Sequence, residues 1–478
     1  MHRSSFFHKC ICAIAFAVGA VSALVAGEPV TVRHFGVLPD PVKVNTVMIQ
    51  AAIDSAASRG QMLVFGPGDY VSGTLLLPDN ACIRLDSAAR LLGSTNPYDY
   101  RGYADGTGME ALVSARGVGN IRITGPGTID GRGLGVALAV DSLHHTGVRP
   151  DPSYNLRRMR PSLRPKLIDM HDVDNLVIDS LHLRASAAWG LSLNGCTDVV
   201  VRGIDFVNRA YWNNDGIDVA DCRNVLIEGC YINSADDGIV LKSFDKNGGN
   251  DGVVIRDCDI RSSASALKFG TESYGAFRNV TVRDIRVRDT FRSAVALETV
   301  DGAVLENVLI DGVDAQNTGN ALFMRLGHRN GDNPGAFRNV TVRNLSCTVP
   351  FGRPDEAYDL RGPDINVIHN PFPASITGIP QAHISGVTLE NIHITYPGRG
   401  TKGMAYIAPY RYGDVPEAVS AYPEYSMFGE LPAWGFYIRH VDGITFRNVT
   451  VQAVEPDSRE AVVMDDVTGV DGRIDVSY

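Results

Sequence analysis

The chain has 478 residues, 44% of them hydrophobic and 21% charged, with 49 glycines and 24 prolines. That apolar fraction excludes wholesale disorder and is enough for one large all-β domain or two or three ordinary ones. A net charge of −10 argues against nucleic acid as a partner and against a membrane held by a basic surface, but leaves room for a local basic pocket.

The first 27 residues read as a secretory signal peptide. Arg3, His8 and Lys9 make a positive start, Ile11 to Val25 is an apolar run, and Val25-Ala26-Gly27 ends in small residues. Cleavage is expected between Ala23 and Gly27; the alternative is an uncleaved N-terminal anchor. No later stretch reaches the roughly 20 apolar residues that a membrane span needs. A periplasmic or secreted protein with no membrane span after cleavage is therefore expected. Cys10 and Cys12 leave with the signal, and Cys82, Cys196, Cys222, Cys230, Cys258 and Cys347 remain. None forms a CxxC, so no zinc ribbon is expected.

Residues 45–58 predict a helix. Asn45 or Thr46 can serve as N-cap, Ile49, Ala52, Ile53 and Ala56 recur at helical spacing, and Gln50 and Asp54 fall on the wetter side. Such a helix suits the open end of a solenoid, which needs covering. From Gln61 to Leu92, with a turn around Phe65 to Tyr70, the strands begin.

From there one pattern recurs, usually Asn, Asp or Gly followed by β-branched and other apolar residues. It starts at Asn175, Asp198, Asn224, Gly252, Asn279 and Ala303, at steps of 23, 26, 28, 27 and 24 residues, with later copies at Asn339, Gly386 and Gly443. A second signature runs in phase, starting at Gly190, Gly216, Gly238, Ala266, Ala294 and Ala321. Short β-rich runs at a period in the twenties predict a single right-handed parallel β-helix, an all-β solenoid of two or three strands per coil. Equivalent residues then stack about 4.8 Å apart in ladders. Cys196 with Cys222, and Cys230 with Cys258, sit in register, either as small apolar ladders or as disulfides. Inserts at about 350–380 and 396–436, rich in Pro, Tyr and Gly, are expected as loops walling a cleft.

Aligned on its small residue, the second signature brings acids together. The preceding position carries Trp189, Asp215, Asp237, Ser265, Ser293 and Asn320 on successive coils, with Asp236 beside Asp237. Stacked carboxylates repel, so a structure keeps them with compensation or for a purpose. One purpose is inverting glycoside hydrolysis, in which a protonated carboxyl and a carboxylate stand roughly 6.5–9.5 Å apart around a water. The bland alternative is turn chemistry, since Asp-Gly is common in turns and Asn/Asp ladders cap β-helix bends.

Asn213 to Asp218 resembles the Asn-Thr-Asp motif of the polygalacturonase family of pectin hydrolases, glycoside hydrolase family 28. Asp236 to Ser243 resembles that family's Asp-Asp motif, in the same order and at the same separation. Leu91 to Tyr100 and Tyr422 to Trp434 look like segments of its bacterial members. The resemblance covers nearly all of the chain after the signal. It implies a parallel β-helix, inversion, Asp236 as general acid, and Asp215 with Asp237 as the water-activating pair. The chain departs from the family where Gly-His-Gly is replaced by Ala264-Ser265-Ala266, and where Arg-Ile-Lys is replaced by Ala296-Leu297-Glu298.

The ladder offers substitutes for those missing groups. Two residues after the small one come Ser192, Asp218, Val240, Lys268, Ala296 and Phe323; four after it come Asn194, Ala220, Lys242, Gly270, Glu298 and Arg325. Lys242, Lys268, Arg325 and Glu298 are thus candidate substrate groups, with Asn214 and Ser265. Lys268 and Arg325 could meet a uronate, or Lys268 could pair with Glu298 to orient a hydroxyl; the plain alternative is a charge network between coils. If Lys268 meets substrate, Lys268→Ala costs binding more than stability. His328 could reach the cleft but reads more simply as a loop histidine. Tyr422, Tyr437, Arg439 and His440 could form a sugar-stacking wall or plain packing. His144 and His145, expected in a loop, lack ligand spacing, and no metal or cofactor is expected. The sequons at Asn279, Asn339, Asn344 and Asn448 read as coil turns. The expected partner is a pectic poly- or oligosaccharide met by a monomer, cleaved from its ends if the inserts close one side of the cleft. The competing readings are a polysaccharide lyase with Lys268 or Arg325 as base, and a non-catalytic glycan-binding β-helix.

Overall fold

Three strands per coil, each pairing in parallel with its counterpart one coil away, account for the period. In a computed structural model that describes residues 27–102, 108–355 and 372–478, one such coil is Leu191–Asn194, Thr197–Arg202 and Asp205–Asn208, and the next is Ile217–Ala220, Arg223–Glu228 and Tyr231–Ser234. Leu191 pairs with Ile217, Val199 with Val225 and Phe206 with Ile232, and all six side chains are buried. Of the expected signal segment 1–27, residues 1–26 lie outside the described residues, as do residues 356–371 of the first insert. Among the described residues no helix is long and apolar enough to cross a membrane.

The chain divides into two compact units, one ending at Asp236 and one beginning at Asp237. Each is a stretch of parallel β-helix, all-β apart from short helices. In the first unit, helix α1 (Thr46–Ser58) buries Ile49, Ala52, Ile53, Ala56 and Ala57. Asn45 takes the N-cap position without a side-chain bond, whereas Thr46 Oγ1 accepts from the Gly73 amide at 2.8 Å. Gln50 is only partly exposed, because its amide exchanges two hydrogen bonds with the Leu76 backbone, at 2.6 and 2.8 Å. A second helix, α2 (Gly133–His145), was not expected; Gly133, Val136, Ala137 and Val140 form its buried face. His144 and His145 close its last turn rather than sit in a loop, and the His144 ring stacks on Tyr154 at 4.1 Å.

In the second unit the three faces of a coil run on as continuous ribbons, such as Ala276–Thr299 and Val304–Leu326. The ladder of small residues keeps its register: Lys268 pairs with Ala296, Ala296 with Phe323, and Glu298 with Arg325. Part of the first expected loop is in fact a rung of this ladder. Ala374–Thr377 pairs with Phe323–Arg325 on one side and with Phe436–Arg439 on the other. The second insert does loop out, and Ile407, Val415, Tyr425, Phe428 and Leu431 pack with Ala296, Phe323 and Tyr437.

The bends explain the Asn/Asp signature. Asn175, Asp198, Asn224, Asn279, Asn339 and Asn448 all have φ between 53° and 60°, the left-handed region that Asn and Asp tolerate best among residues with a Cβ. Their side chains link neighbouring coils within each unit: Asn224 Nδ2 donates to Asp198 at 2.9 Å, and Asn307 Nδ2 to Asn279 at 3.2 Å. The sequon asparagines are coil turns. All six cysteines after the signal are free and buried, so the disulfide alternative does not hold.

Candidate active site

Asp215 lies two residues before the strand Ile217–Ala220, and Asp236 two residues after the strand Tyr231–Ser234 of the same coil. Both are buried, at 3% and 6% exposure, with carboxylate oxygens within 4.8 Å of each other. That is closer than the gap expected for a water between acid and base. The turn that leads into Asp215, residues 210–214, is held by Asn214, whose side chain makes four hydrogen bonds. It accepts from the Ala210 and Tyr211 amides at 2.7 and 2.6 Å and donates to the Ser186 and Ala188 carbonyls at 2.9 and 2.8 Å. Asn214 is thus spent on the backbone rather than available to a sugar. Asn213, at φ 56°, directs its amide to Asp236 Oδ2 at 3.5 Å.

The first unit also carries a basic loop near these acids, outside the coil repeat. Arg164 is buried and ties the loop down, donating to the carbonyls of Pro161, Ala187 and Trp212 and to Asn213 Oδ1 at 2.5–3.0 Å. Burial pulls its pKa down to about 9. Arg160 is half-buried and its Nε has no hydrogen-bond partner. Burial and then Arg158 hold its pKa below the usual range, while Asp236, Tyr211 and Asp215 act to raise it. Trp189, Tyr211 and Trp212 are partly exposed, with Lys166 Nζ 4.8 Å from the Trp189 ring and Arg158 5.8 Å from Trp212.

Asp237 opens the second unit at 4% exposure. Lys268 Nζ is 3.2 Å from its Oδ2, and the Ser265 amide donates to its Oδ1 at 3.1 Å. Burial alone would raise this carboxyl; Lys268, Lys242, Arg292 and the Ser265 amide outweigh it and hold the pKa below the ordinary value. Lys268 is itself buried. Desolvation opposes its charge, but Asp237, Tyr422 and Glu298 keep it protonated well above its usual range. Its ammonium also lies 5.5 Å from the centre of the Tyr422 ring. Glu298 is 2% exposed with Oε2 unpartnered, and burial pushes its pKa up to about 7 against the pull of Lys268.

The other candidates divide. Lys242 is buried and reaches Glu272 at 3.4 Å. Arg325 sits elsewhere in function: it donates to the carbonyls of Gly378, Glu417 and Ala418 at 2.8–3.1 Å and clamps the second insert. A uronate would find these donors occupied. Ser265 acts through its backbone. Of the proposed wall, Tyr437, Arg439 and His440 are buried in packing and ion pairs, and only Tyr422 is exposed. His328 bonds within its own loop, to the Gly331 carbonyl at 3.2 Å. Arg292, buried and paired with Glu424 of the insert, adds a cation that was missed. It sits 28 residues after Ala264, so the repeat could have flagged it.

Residues 64–305 match the sequence profile of "Glycosyl hydrolases family 28". The chain belongs to that family. A polygalacturonase of Ralstonia solanacearum is 22% identical over 416 residues, 75% of this chain and 78% of that one. An endo-polygalacturonase of Pectobacterium parmentieri is 24% identical, covering 60% of this chain and 74% of its own. Among solved structures, the family 28 exopolygalacturonase of Yersinia enterocolitica aligns with a TM-score of 0.66 at 20% identity, over 93% of this family 28 chain and 79% of its own. That of Thermotoga maritima aligns with a TM-score of 0.60 at 21% identity, over 80% and 91%. The chain is thus a glycoside hydrolase on a parallel β-helix.

Proposed function

We propose that the protein is exported and hydrolyses galacturonan-type pectic polysaccharide or its oligomers. Asp236 is the general acid, and Asp215 and Asp237 activate the attacking water. The observation that carries the reading is the buried Asp215–Asp236 pair within 4.8 Å, inside the family-matched segment and within electrostatic reach of Arg160. Buried carboxylates so close hold a proton between them more readily than isolated ones, which is what an acid–base pair needs. Asp237 follows Asp236 directly, and its depressed pKa keeps it ionised as a base requires. Inversion rests on the family resemblance and not on the carboxylate spacing, so the anomer of the first product, read by proton NMR, tests it separately.

The missing family His, Arg and Lys need a replacement for uronate binding. Arg160, partly exposed and within electrostatic reach of Asp236 and Asp215, takes that role, and Trp189, Tyr211 and Trp212 offer ring faces to sugars. The lyase reading loses its bases, because Lys268 is held protonated and Arg325 is committed to carbonyls. Export rests on the N-terminal pattern of charge, apolar run and small residues.

The deciding experiment is digestion of homogalacturonan, rhamnogalacturonan and their oligomers, with reducing-end and ultraviolet product analysis, for wild type and Asp236→Asn. Hydrolysis without an unsaturated product, lowered ~10²–10⁴-fold in the variant with binding kept, is expected. Turnover unchanged in Asp236→Asn, or ultraviolet-absorbing ends, refutes it.

A further inference from the structure

The last coils of the second unit assemble a cluster that hydrolysis does not use. Ile384 pairs with Val441, and Val441 with Val467, so the residues just before them, His383, His440 and Asp466, occupy one ladder position on three successive coils. His383 Nε2 lies 3.3 Å from Asp466 Oδ2, and His440 Nδ1 lies 2.6 Å from the same oxygen. The other nitrogen of each ring faces a different carboxylate: His383 Nδ1 is 3.1 Å from Asp442 Oδ2, and His440 Nε2 is 3.0 Å from Glu417 Oε2.

That arrangement is the outer shell of a histidine metal site. Glu417, hydrogen-bonded to His440 Nε2, takes that N–H, fixes the tautomer and leaves Nδ1 as a lone pair. That lone pair would then point at Asp466 Oδ2, which is repulsive unless a cation stands between them, and Asp442 stands at ion-pair distance behind His383 without a hydrogen bond to it. We propose that His383 Nε2, His440 Nδ1 and the Asp466 carboxylate bind a divalent transition-metal ion, zinc by the chemistry of two imidazoles and one carboxylate. Asp466 has half its side chain exposed, so water completes the fourth position.

The dimensions suit this. Tetrahedral bonds of ~2.0–2.1 Å separate neighbouring ligand atoms by roughly 3.3 Å. The His383–Asp466 separation already has that value, and a small swing of the exposed Asp466 opens the other. His440 is 5% exposed and His383 partly buried, so two of the three ligands are held by packing.

The ion would also stiffen the second insert. Glu417, which orients His440, belongs to that insert, and Arg325 and Arg439 grip the same residue. A few residues on, Tyr422 lies beside Lys268 and Glu424 pairs with Arg292.

The test uses tag-free full-length protein, stripped with a chelator, dialysed and titrated with zinc chloride by calorimetry, with metal content by mass spectrometry. One zinc per chain is expected, with a raised melting temperature. His383→Gln and Asp466→Asn should each weaken zinc at least 100-fold, and Asp442→Asn, a positioning change at an exposed residue, 10–100-fold. Melting temperatures in chelator equal to wild type show that the variants fold; if His383→Gln fails this, Asp442→Asn carries the test. No zinc bound at micromolar concentration, or binding undiminished in the variants, overturns the assignment. The readout does not involve turnover, so it stands or falls apart from the proposed hydrolysis.

Discussion

Replacing Lys268 with Met is the sharpest probe of the second unit's buried charges. With an effective dielectric near 20, unit charges 3.2 Å apart attract by ~5 kcal/mol, which sets the ceiling for the Lys268–Asp237 pair. Removing one partner of a buried pair costs about 3–5 kcal/mol, because the other charge is left uncompensated. At ~2.1 cal/mol/K per residue, unfolding a chain of about 450 residues carries roughly 1 kcal/mol/K, so the melting temperature should fall by ~3–5 °C. Asp237 loses the strongest cation holding it ionised, so the acid limb of the pH–rate profile moves to higher pH. Adding Asp237→Asn removes the orphaned charge, and the double variant should regain most of the lost stability. Thermal melts of wild type, both single variants and the double variant measure the coupling. An unchanged melt for Lys268→Met, or a double variant no more stable than it, refutes the reasoning. Sequence predicts that Lys268→Ala costs binding more than fold; the direct ion pair to Asp237 adds a cost to the fold, and the melts set beside binding measure which is larger.

Glu298, raised to about 7 from an ordinary 4.5, binds a proton in the folded protein that it loses on unfolding between those values. Its contribution is therefore present below pH 4.5 and lost as pH rises through 7, a change of ~3 kcal/mol at 1.36 kcal/mol per unit. Glu298→Gln should remove that slope in denaturant midpoints taken from pH 4 to 8; identical slopes in the two proteins would contradict it. Arg160→Ala should lower kcat/KM on galacturonate oligomers by ~10–100-fold, the worth of a hydrogen bond to a charged group, with little change in melting. An equal loss on fully methyl-esterified oligomers would show that Arg160 does not meet the carboxylate.

The coil was legible because its physics repeats. Asn and Asp at the bends, small residues before each inner strand and a period set by three strands all print themselves on the sequence, and the register observed between Lys268, Ala296 and Phe323 follows from that count. The alignment of Asp215 with Asp237, and Asp236 beside it, comes from the same count. Arg160 was not legible, since it lies in a loop whose position depends on Arg164 finding three acceptors far along the chain, at Ala187, Trp212 and Asn213. Arg325 looked like a ligand group because sequence shows charge but not what the charge is bonded to. The His383–His440–Asp466 ladder was hidden by the inserts, which stretch the spacing between coils to 57 residues and so break the period that would have aligned them. Helix α2 shows at Gly133, Val136, Ala137 and Val140 an apolar face at helical spacing, too short to stand out among the strand patterns around it.

The asparagine ladder sets a limit on how this protein can be produced. Asn279, Asn339, Asn344 and Asn448 each spend the side-chain nitrogen that an N-linked oligosaccharide would occupy, donating it to Asp251, Asn307, Asp311 and Asn391 of the adjacent coil. A yeast or insect-cell host attaches its glycans during synthesis, before neighbouring coils close. Each attachment there would wedge the stack open, so a bacterial host is the compatible one.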